Sequence, residues 1–176
     1  MKFSTSKLFV SLIFLAFSSL VSAGPSSNGE WTIAGHTSVK SPLGVSHLDM
    51  VVQDTYSISA SDQTFTNALG TLNGSLNEIK PGKFKATIQP SAEYLAELQN
   101  LMISQLQPKL KQFEATVTGF TPGPIIVDGK VNKYNYAMTG KAVMKVKVDL
   151  QLGNKSMAVP VQVAIEFVGV RAPETL

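Results

Sequence analysis

Cysteine is absent from this chain of 176 residues, and charged residues make up only 15% of it. Without cysteine the protein cannot contain a disulfide framework, a zinc–cysteine site or a thiol nucleophile. The low charge, together with 44% hydrophobic residues, excludes a long disordered chain, because this composition can bury a core. Histidine occurs only at His36 and His47, and the G-x-S-x-G pattern of serine hydrolases does not occur. We therefore expect no enzyme and no catalytic residue.

The first 23 residues are typical of a secretory signal peptide. Lys2 and Lys7 supply its positive start, an apolar run follows from Leu8 to Leu20, and Val21-Ser22-Ala23 suits the cleavage site. The apolar run is shorter than the roughly 20 residues that a membrane-spanning helix needs. We therefore expect cleavage after about Ala23 and a secreted protein, periplasmic or extracellular, without stable membrane insertion.

The basic character of the chain lies partly in this leader. Lys2 and Lys7 are two of the 15 basic residues, so 13 basic and 12 acidic residues remain after cleavage. A nearly neutral protein gives little reason to expect nucleic acid as a partner. Tyr134 and Tyr136, beside Lys130 and Lys133, would suit an RNA-binding sheet, but such a pattern more often marks one half-exposed strand.

Alternating apolar and polar residues, which indicate half-buried strands, dominate the chain after residue 29. Trp31, Ile33, Gly35 and Val39 share one face near the start, and every second residue from Val159 to Phe167 is apolar near the end. We count eight to ten strands joined by hairpin turns. Such a meander hides its edges most economically by closing into a barrel.

Glycine and proline locate several turns in the second half of the chain. Thr121-Pro122-Gly123-Pro124 predicts one turn, and Asp128-Gly129 predicts a tight type I′ hairpin. A strand is expected from Val131 to Met138, followed by another tight connection at Thr139-Gly140-Lys141.

One segment has helical periodicity. Residues 91–107 are rich in good helix formers, and Ser91 can cap the helix while Pro108 disrupts it. Apolar residues recur at steps of three and four and continue past Pro108: Leu95, Leu98, Met102, Leu106 and Leu110. The sequence thus predicts a mainly β fold, an up-and-down antiparallel β-barrel of about 8–10 strands with one α-helix (about 91–107) inserted mid-chain.

We divide the chain into a signal peptide (1–23), a flexible lead-in (24–28), a single barrel domain (29–172) and a tail (173–176). Gly29-Glu30-Trp31 opens the first strand, and the single arginine, Arg171, directly follows the last one. These residues resemble the G-x-W signature and the terminal arginine of bacterial lipocalin-like (calycin-type) proteins. The resemblance covers most of residues 29–171. It implies that Gly29, Trp31 and Arg171 close one end of the barrel as structural residues, with the guanidinium stacked on the indole. Typical lipocalins carry their long helix after the eighth strand, whereas here it lies mid-chain.

Metal and carboxylate chemistry have few candidate residues. His36 or His47 with Asp49 or Asp54 would form a surface metal site, but alternation places His47 and Asp49 on the opposite strand face from Asp54. We therefore expect no metal, and no cofactor. The carboxylates that glycoside hydrolysis would need are scattered and are expected to be hydrated surface acids: Glu30, Asp54, Glu78 and Glu166.

The resulting functional prediction is a secreted, lipocalin-like binding protein for a small hydrophobic, lipid-like ligand. Its ligand-binding residues are unknown from sequence, although methionines supply adaptable lining: Met50, Met138, Met144 and Met157. The alternative is a filled barrel that acts as a structural or interaction module of the cell envelope, with an unidentified protein partner. Small residues among the inward positions leave the choice open: Ala86, Ala137, Ala142 and Ala164.

Overall fold

The computed structural model describes residues 25–42, 44–134 and 136–172, without the side chains of residues 44–52, 105 and 109. The predicted leader (1–23) and tail (173–176) lie outside the described residues, as do the side chains of His47, Asp49 and Met50. The elements in chain order are β1 (Gly29–Ser41), β2 (Gly44–Ser59), β3 (Thr64–Asn67), β4 (Leu72–Lys80), β5 (Lys83–Pro90), α1 (Ala92–Lys111), β6 (Ala115–Val131), β7 (Ala137–Leu152) and β8 (Lys155–Arg171).

The eight strands form one closed antiparallel barrel in which each strand pairs with its neighbours in the sequence. The first and last strands complete the ring, from Trp31 opposite Arg171 to Lys40 opposite Gln162. The predicted mainly β, up-and-down barrel with one mid-chain helix is therefore confirmed. Alternation explains the strands: in β1 the residues at odd positions from Trp31 to Val39 are buried, and their neighbours are half-buried or exposed.

The barrel has one short side and one long side. The β5–β6 pairing covers Ile125 to Lys130, so residues 115–124 of β6 extend beyond the end of β5. These ten residues span about 33 Å, and the twenty residues of α1 span about 30 Å. Since α1 connects the end of β5 to the far end of β6, its length matches the stretch of wall that the short strands leave uncovered. Its buried Leu98, Met102 and Leu110 join the core there.

The helix starts where the sequence predicts and ends later. The Ser91 hydroxyl accepts a hydrogen bond of 3.2 Å from the Tyr94 N–H, which caps the N-terminus. Pro108 lies inside the helix, which continues to Lys111. The predicted helix of about 91–107 is confirmed, and it extends one further turn because Leu110 still buries its side chain, with 6% exposed; this burial offsets the hydrogen bond that proline removes.

The predicted turns between residues 121 and 141 are also wrong. Residues 121–124 and Asp128-Gly129 lie inside β6, and residues 139–141 lie inside β7. Pro122 and Pro124 are tolerated because they sit at an irregularity of the β6–β7 register, on the part of β6 that extends past β5. The actual β6–β7 turn lies within the segment predicted as a strand from Val131 to Met138. The Asn132 side chain there accepts hydrogen bonds from the N–H groups of Tyr136 and Ala137.

Two facing glycines explain the central part of this strand pair. Gly129 and Gly140 lie opposite each other, and a Cβ on either would collide with an aromatic ring, that of Phe84 at Gly129 and that of Phe167 at Gly140. Glycine is therefore needed at both positions to leave space for the two rings inside the barrel. For this reason Asp128-Gly129 and Gly140 lie within strands and not in the predicted turns.

Within the described part of the chain, no helix is both long enough and apolar enough to cross a lipid bilayer.

Candidate ligand cavity and the closed end of the barrel

Arg171 and Trp31 lie together at one end of the barrel, which we call the closed end. The guanidinium carbon of Arg171 is 4.8 Å from the centre of the Trp31 ring, and Trp31 is fully buried. Gly29 faces the same guanidinium, since a Cβ there would lie 3.8 Å from Arg171 Nε. Its backbone has φ +112°, which favours glycine. The structure thus brings together the three residues for which the G-x-W resemblance implies a role in barrel closure.

Residues 25–28, the described part of the predicted flexible lead-in (24–28), lie across this end. Trp31 Nε1 donates to the Ser27 carbonyl at 2.8 Å, and Arg171 donates to the Ser26 carbonyl at 2.8 Å. The buried Ser27 hydroxyl donates to Glu78 at 3.2 Å, and Glu78 also accepts the Gly82 N–H at 2.9 Å. Glu78 is therefore a structural acid that joins the lead-in to the β4–β5 turn.

Large side chains fill the barrel above the closed end. Phe84 and Met138 are 0% and 1% exposed, and Phe167 is 6% exposed. The Phe84 ring lies 6.3 Å from that of Phe65, which in turn lies 5.0 Å from that of Tyr56. These large, almost fully buried side chains occupy the barrel next to the closed end, so we look for a ligand site further along the barrel axis.

A cavity of about 290 Å³ lies in that further part, where the first turns of α1 meet the ends of the short strands. Its inner wall is aliphatic, and its mouth carries three acids and two tyrosines. The aliphatic part comes from the barrel interior: Leu72, Ile88, Ile125, Val127, Ala142 and Ile165. The polar part comprises Asp54, Glu93, Glu97, Tyr56 and Tyr94. Asn67, Leu69 and Thr71 complete the lining from the β3–β4 loop region.

A hydrogen-bond network fixes Asp54 at this mouth. One carboxylate oxygen accepts the Thr55 N–H at 2.7 Å, and the other accepts Asn67 Nδ2 at 2.9 Å. Asn67 is buried, and it also donates to Thr71 at 3.0 Å and accepts the Leu72 N–H at 2.9 Å. The network therefore ties the acid on β2 to the loop that leads into β4.

The negative charge of Asp54 acts on the pKa of both tyrosines. Burial raises the pKa of Tyr56 far above its ordinary value, and the negative charge of Asp54 raises it further. The pKa of Tyr94 is raised by burial first and then by Asp54 and Glu97. Both side chains consequently remain neutral phenols at any ordinary pH.

The other acids and histidine singled out in the sequence lie apart from the cavity. His36 is exposed on the outer face of β1, and Glu166 is exposed on β8, where it pairs with Lys141 at 3.0 Å. Glu30 is exposed at the closed end. Of the four scattered carboxylates only Asp54 lines the cavity, and the described residues hold no group of three potential metal ligands.

The methionines and alanines divide between the core and the surface. Met138, Met144 and Ala86 are buried in the packed core, whereas Met157 is 49% exposed. Ala142 lines the cavity. Ala137 lies at the closed end, and Ala164 is buried on β8.

A basic concavity of about 640 Å³ lies outside the barrel at the closed end. Four lysines line it: Lys80, Lys83, Lys130 and Lys133. Tyr134 and Tyr136 are exposed in the adjoining β6–β7 turn, with their rings stacked at 5.9 Å, and the Lys133 ammonium lies 4.7 Å from the Tyr134 ring centre. These tyrosines are thus on a turn, not on the strand that the sequence predicts.

A second hollow, apolar and about 260 Å³, lies at the opposite end of α1. Leu110, Phe113 and the hairpin between β7 and β8 surround it, and Phe113 is 66% exposed.

Sequence reasoning missed most of the cavity mouth. Glu93, Tyr94 and Glu97 fall in a segment for which the sequence predicts only a helix, and Asn67 carries no signal of its own. The sequence spacing of Tyr94 and Glu97 places them on one side of the helix, but only the position of α1 over the short strands shows which side faces the barrel. Known protein families, curated proteins and solved structures were compared with the chain, and none of them matches it.

Proposed function

We propose that this chain is a secreted, lipocalin-like binding protein, without enzymatic activity, that holds one small hydrophobic ligand in the cavity beneath the start of α1. The observation that carries the proposal is the cavity of about 290 Å³, which is aliphatic inside and polar at its mouth. Ligand sites in proteins have this character, with an apolar wall and a few polar groups that fix orientation. At roughly 30 Å³ per water-sized unit, the space suits a ligand of on the order of ten non-hydrogen atoms.

Two further observations support the lipocalin-like part. The closed antiparallel barrel of eight strands has an architecture that encloses small ligands in other proteins. The contact of Arg171 with Trp31 is the one that the G-x-W resemblance implies. The mid-chain helix remains a departure from typical lipocalins, and its role here is to cover the wall that the short strands leave uncovered. The leader-like residues 1–23 support the expected periplasmic or extracellular location.

Native mass spectrometry of the protein purified from its own secretory compartment tests this proposal. We expect a reproducible bound mass of small-molecule size that organic solvent removes. Ala142→Leu places a larger side chain in the cavity, so this variant should give the apo mass. Thr139→Leu, on the exposed face of the same strand, should retain the ligand. An apo mass for the unmodified protein, both as purified and after incubation with a lipid extract, would contradict the proposal.

The second candidate function is a structural or interaction module of the cell envelope, and the closed end favours it. Phe84 and Met138 are almost fully buried at this end, and the four lysines of the basic concavity together with the exposed Tyr134 and Tyr136 form an outer surface suited to an anionic partner. Cross-linking in intact cells distinguishes the two. A defined partner that is lost in Lys130→Glu but retained in Ala142→Leu supports this second function.

A further inference from the structure

The charge at the mouth of the cavity has one sign. Three carboxylates line it, those of Asp54, Glu93 and Glu97, and the described lining contains no lysine, arginine or histidine. The ion pairs in the described part of the chain lie elsewhere, on exposed side chains of β5, β6, β7 and β8. The negative potential at the mouth is thus not cancelled by a neighbouring side chain.

Asp54 is the acid placed to meet a ligand. Asn67 and the Thr55 N–H each occupy one position on its two oxygens, and an ionised carboxylate offers about four such positions. The two hydrogen bonds orient the group, while the remaining acceptor sites stay available. A neutral amide donor and a backbone N–H orient a carboxylate but do not neutralise it.

Tyr56 supplies an independent observation. Its side chain is only 8% exposed and lines the cavity, and its hydroxyl has no hydrogen-bond partner among the described residues. The hydroxyl is not one of the sealed polar atoms that lack a partner, so it reaches the cavity space, where a bound molecule or water can hydrogen-bond to it. Because burial and the nearby carboxylates raise the pKa of both Tyr56 and Tyr94, the rings stay neutral. Each can therefore accept a hydrogen bond from a cation or offer its face to one.

We infer that the ligand is a small amine whose protonated nitrogen lies against Asp54, beside Tyr56 and Tyr94, while its apolar body extends toward Ile88, Val127 and Ile165. This inference rests on the proposed ligand-binding function of the same cavity. A carboxylate or phosphate headgroup would face three acids at the mouth, so the same geometry disfavours fatty acids. A neutral ligand would fit the apolar wall but would leave the oriented carboxylate without a charged partner.

Three probes with the same apolar body and different headgroups test the inference: 2-phenylethylamine, 2-phenylethanol and phenylacetate. Their affinities would be measured by isothermal titration calorimetry on the dialysed protein at pH 7. We expect the amine to bind at least about tenfold more tightly than the alcohol and phenylacetate to bind most weakly. The amine preference should shrink as the salt concentration rises.

Two variants and a control locate the effect. Asp54→Asn should abolish the preference for the amine over the alcohol. Glu97→Gln, at an exposed position on α1, should reduce the preference even if Asp54→Asn fails to fold. Glu166→Gln removes an acid from the outer face of β8 and should leave all three affinities unchanged.

Each outcome decides the matter. Equal binding of amine and alcohol overturns the amine inference and leaves the proposed binding function standing. Tighter binding of phenylacetate overturns the inference in the same way. An amine preference that persists in both Asp54→Asn and Glu97→Gln places the cation elsewhere and also overturns it. If none of the three probes binds, the amine inference is overturned, while the native mass spectrum separately decides whether the cavity holds a ligand at all.

Discussion

The guanidinium of Arg171 lies over the indole of Trp31, with the two residues directly opposite each other on the last and first strands. Each also holds the segment before β1, through the carbonyls of Ser26 and Ser27. One contact therefore joins both ends of the described chain at the closed end of the barrel. Lysine in place of Arg171 would keep the charge but could not stack flat on the ring.

This arrangement predicts that Arg171→Lys lowers the free energy of unfolding by about 1–2 kcal/mol, because cation–π energy and one hydrogen bond are lost. Urea unfolding followed by the fluorescence of Trp31, the single tryptophan, would measure the change. Lys155→Ala, at the exposed start of β8, serves as the control. Equal stability of the Arg171→Lys and Lys155→Ala variants would show that the stacked contact contributes nothing.

The facing glycines predict a second effect. A Cβ at Gly129 would occupy the space of the Phe84 ring, so Gly129→Ala should destabilise the protein by about 1–3 kcal/mol through overpacking. Thermal unfolding would show the loss as a lower Tm. The double variant with Phe84→Leu should recover part of the loss relative to Phe84→Leu alone. Additive effects of the two substitutions would contradict the proposed collision.

Alkaline stability should depend on Tyr56. In the unfolded chain this phenol ionises near its ordinary pKa of about 10, whereas in the folded protein burial and Asp54 raise the pKa well above that value. Above pH 10 the unfolded state therefore binds fewer protons than the folded state, and the stability falls as the pH rises, by at most about 1.4 kcal/mol per pH unit from this group. Below pH 10 the contribution is constant.

Urea unfolding between pH 9 and pH 12 would measure this dependence. Tyr56→Phe should flatten the alkaline decline relative to the unmodified protein, and Tyr136→Phe, at an exposed turn position, should leave it unchanged. Parallel declines in all three proteins would refute the assignment to Tyr56.

The cap of α1 should matter for the cavity as well as for the helix. Ser91→Ala removes the acceptor for the Tyr94 N–H and should cost about 1 kcal/mol. Because the first turns of α1 carry Glu93, Tyr94 and Glu97 to the cavity mouth, hydrogen exchange of these turns should accelerate and ligand affinity should fall. Ser104→Ala, in the exposed middle of α1, should change neither property.

The sequence predicts those parts of the fold in which one local signal decides the outcome. Alternation from Trp31 to Val39 and the stripe from Leu98 to Leu110 required only that one face be buried, and the structure buries it. The segment from Thr121 to Lys141 was mispredicted because its prolines and glycines serve tertiary needs. Pro122 lies where β6 has extended beyond β5, and Gly129 makes room for Phe84. Neither relation has a local signature in the sequence.

The closed end and the cavity mouth show the same difference between features with a local sequence signal and features that depend on the tertiary structure. The resemblance to lipocalin-like proteins implies the pairing of Trp31 with Arg171, and each is the single residue of its type in the chain. Asp54 was weighed only as a metal ligand or a hydrated acid. Its place at the cavity mouth depends on the loop that presents Asn67 and on the position of α1, both of which result from unequal strand lengths around the barrel.

The pairing of β1 with β8 also determines when the barrel can close. It joins positions as far apart as 31 and 171. The conformational entropy lost by closing almost the whole chain therefore opposes the first hydrogen bonds between these two strands. The ring cannot close until the seventeen residues of β8 are available to pair with β1. Until then the other seven strands form at most an open sheet, so the last strand completes the barrel.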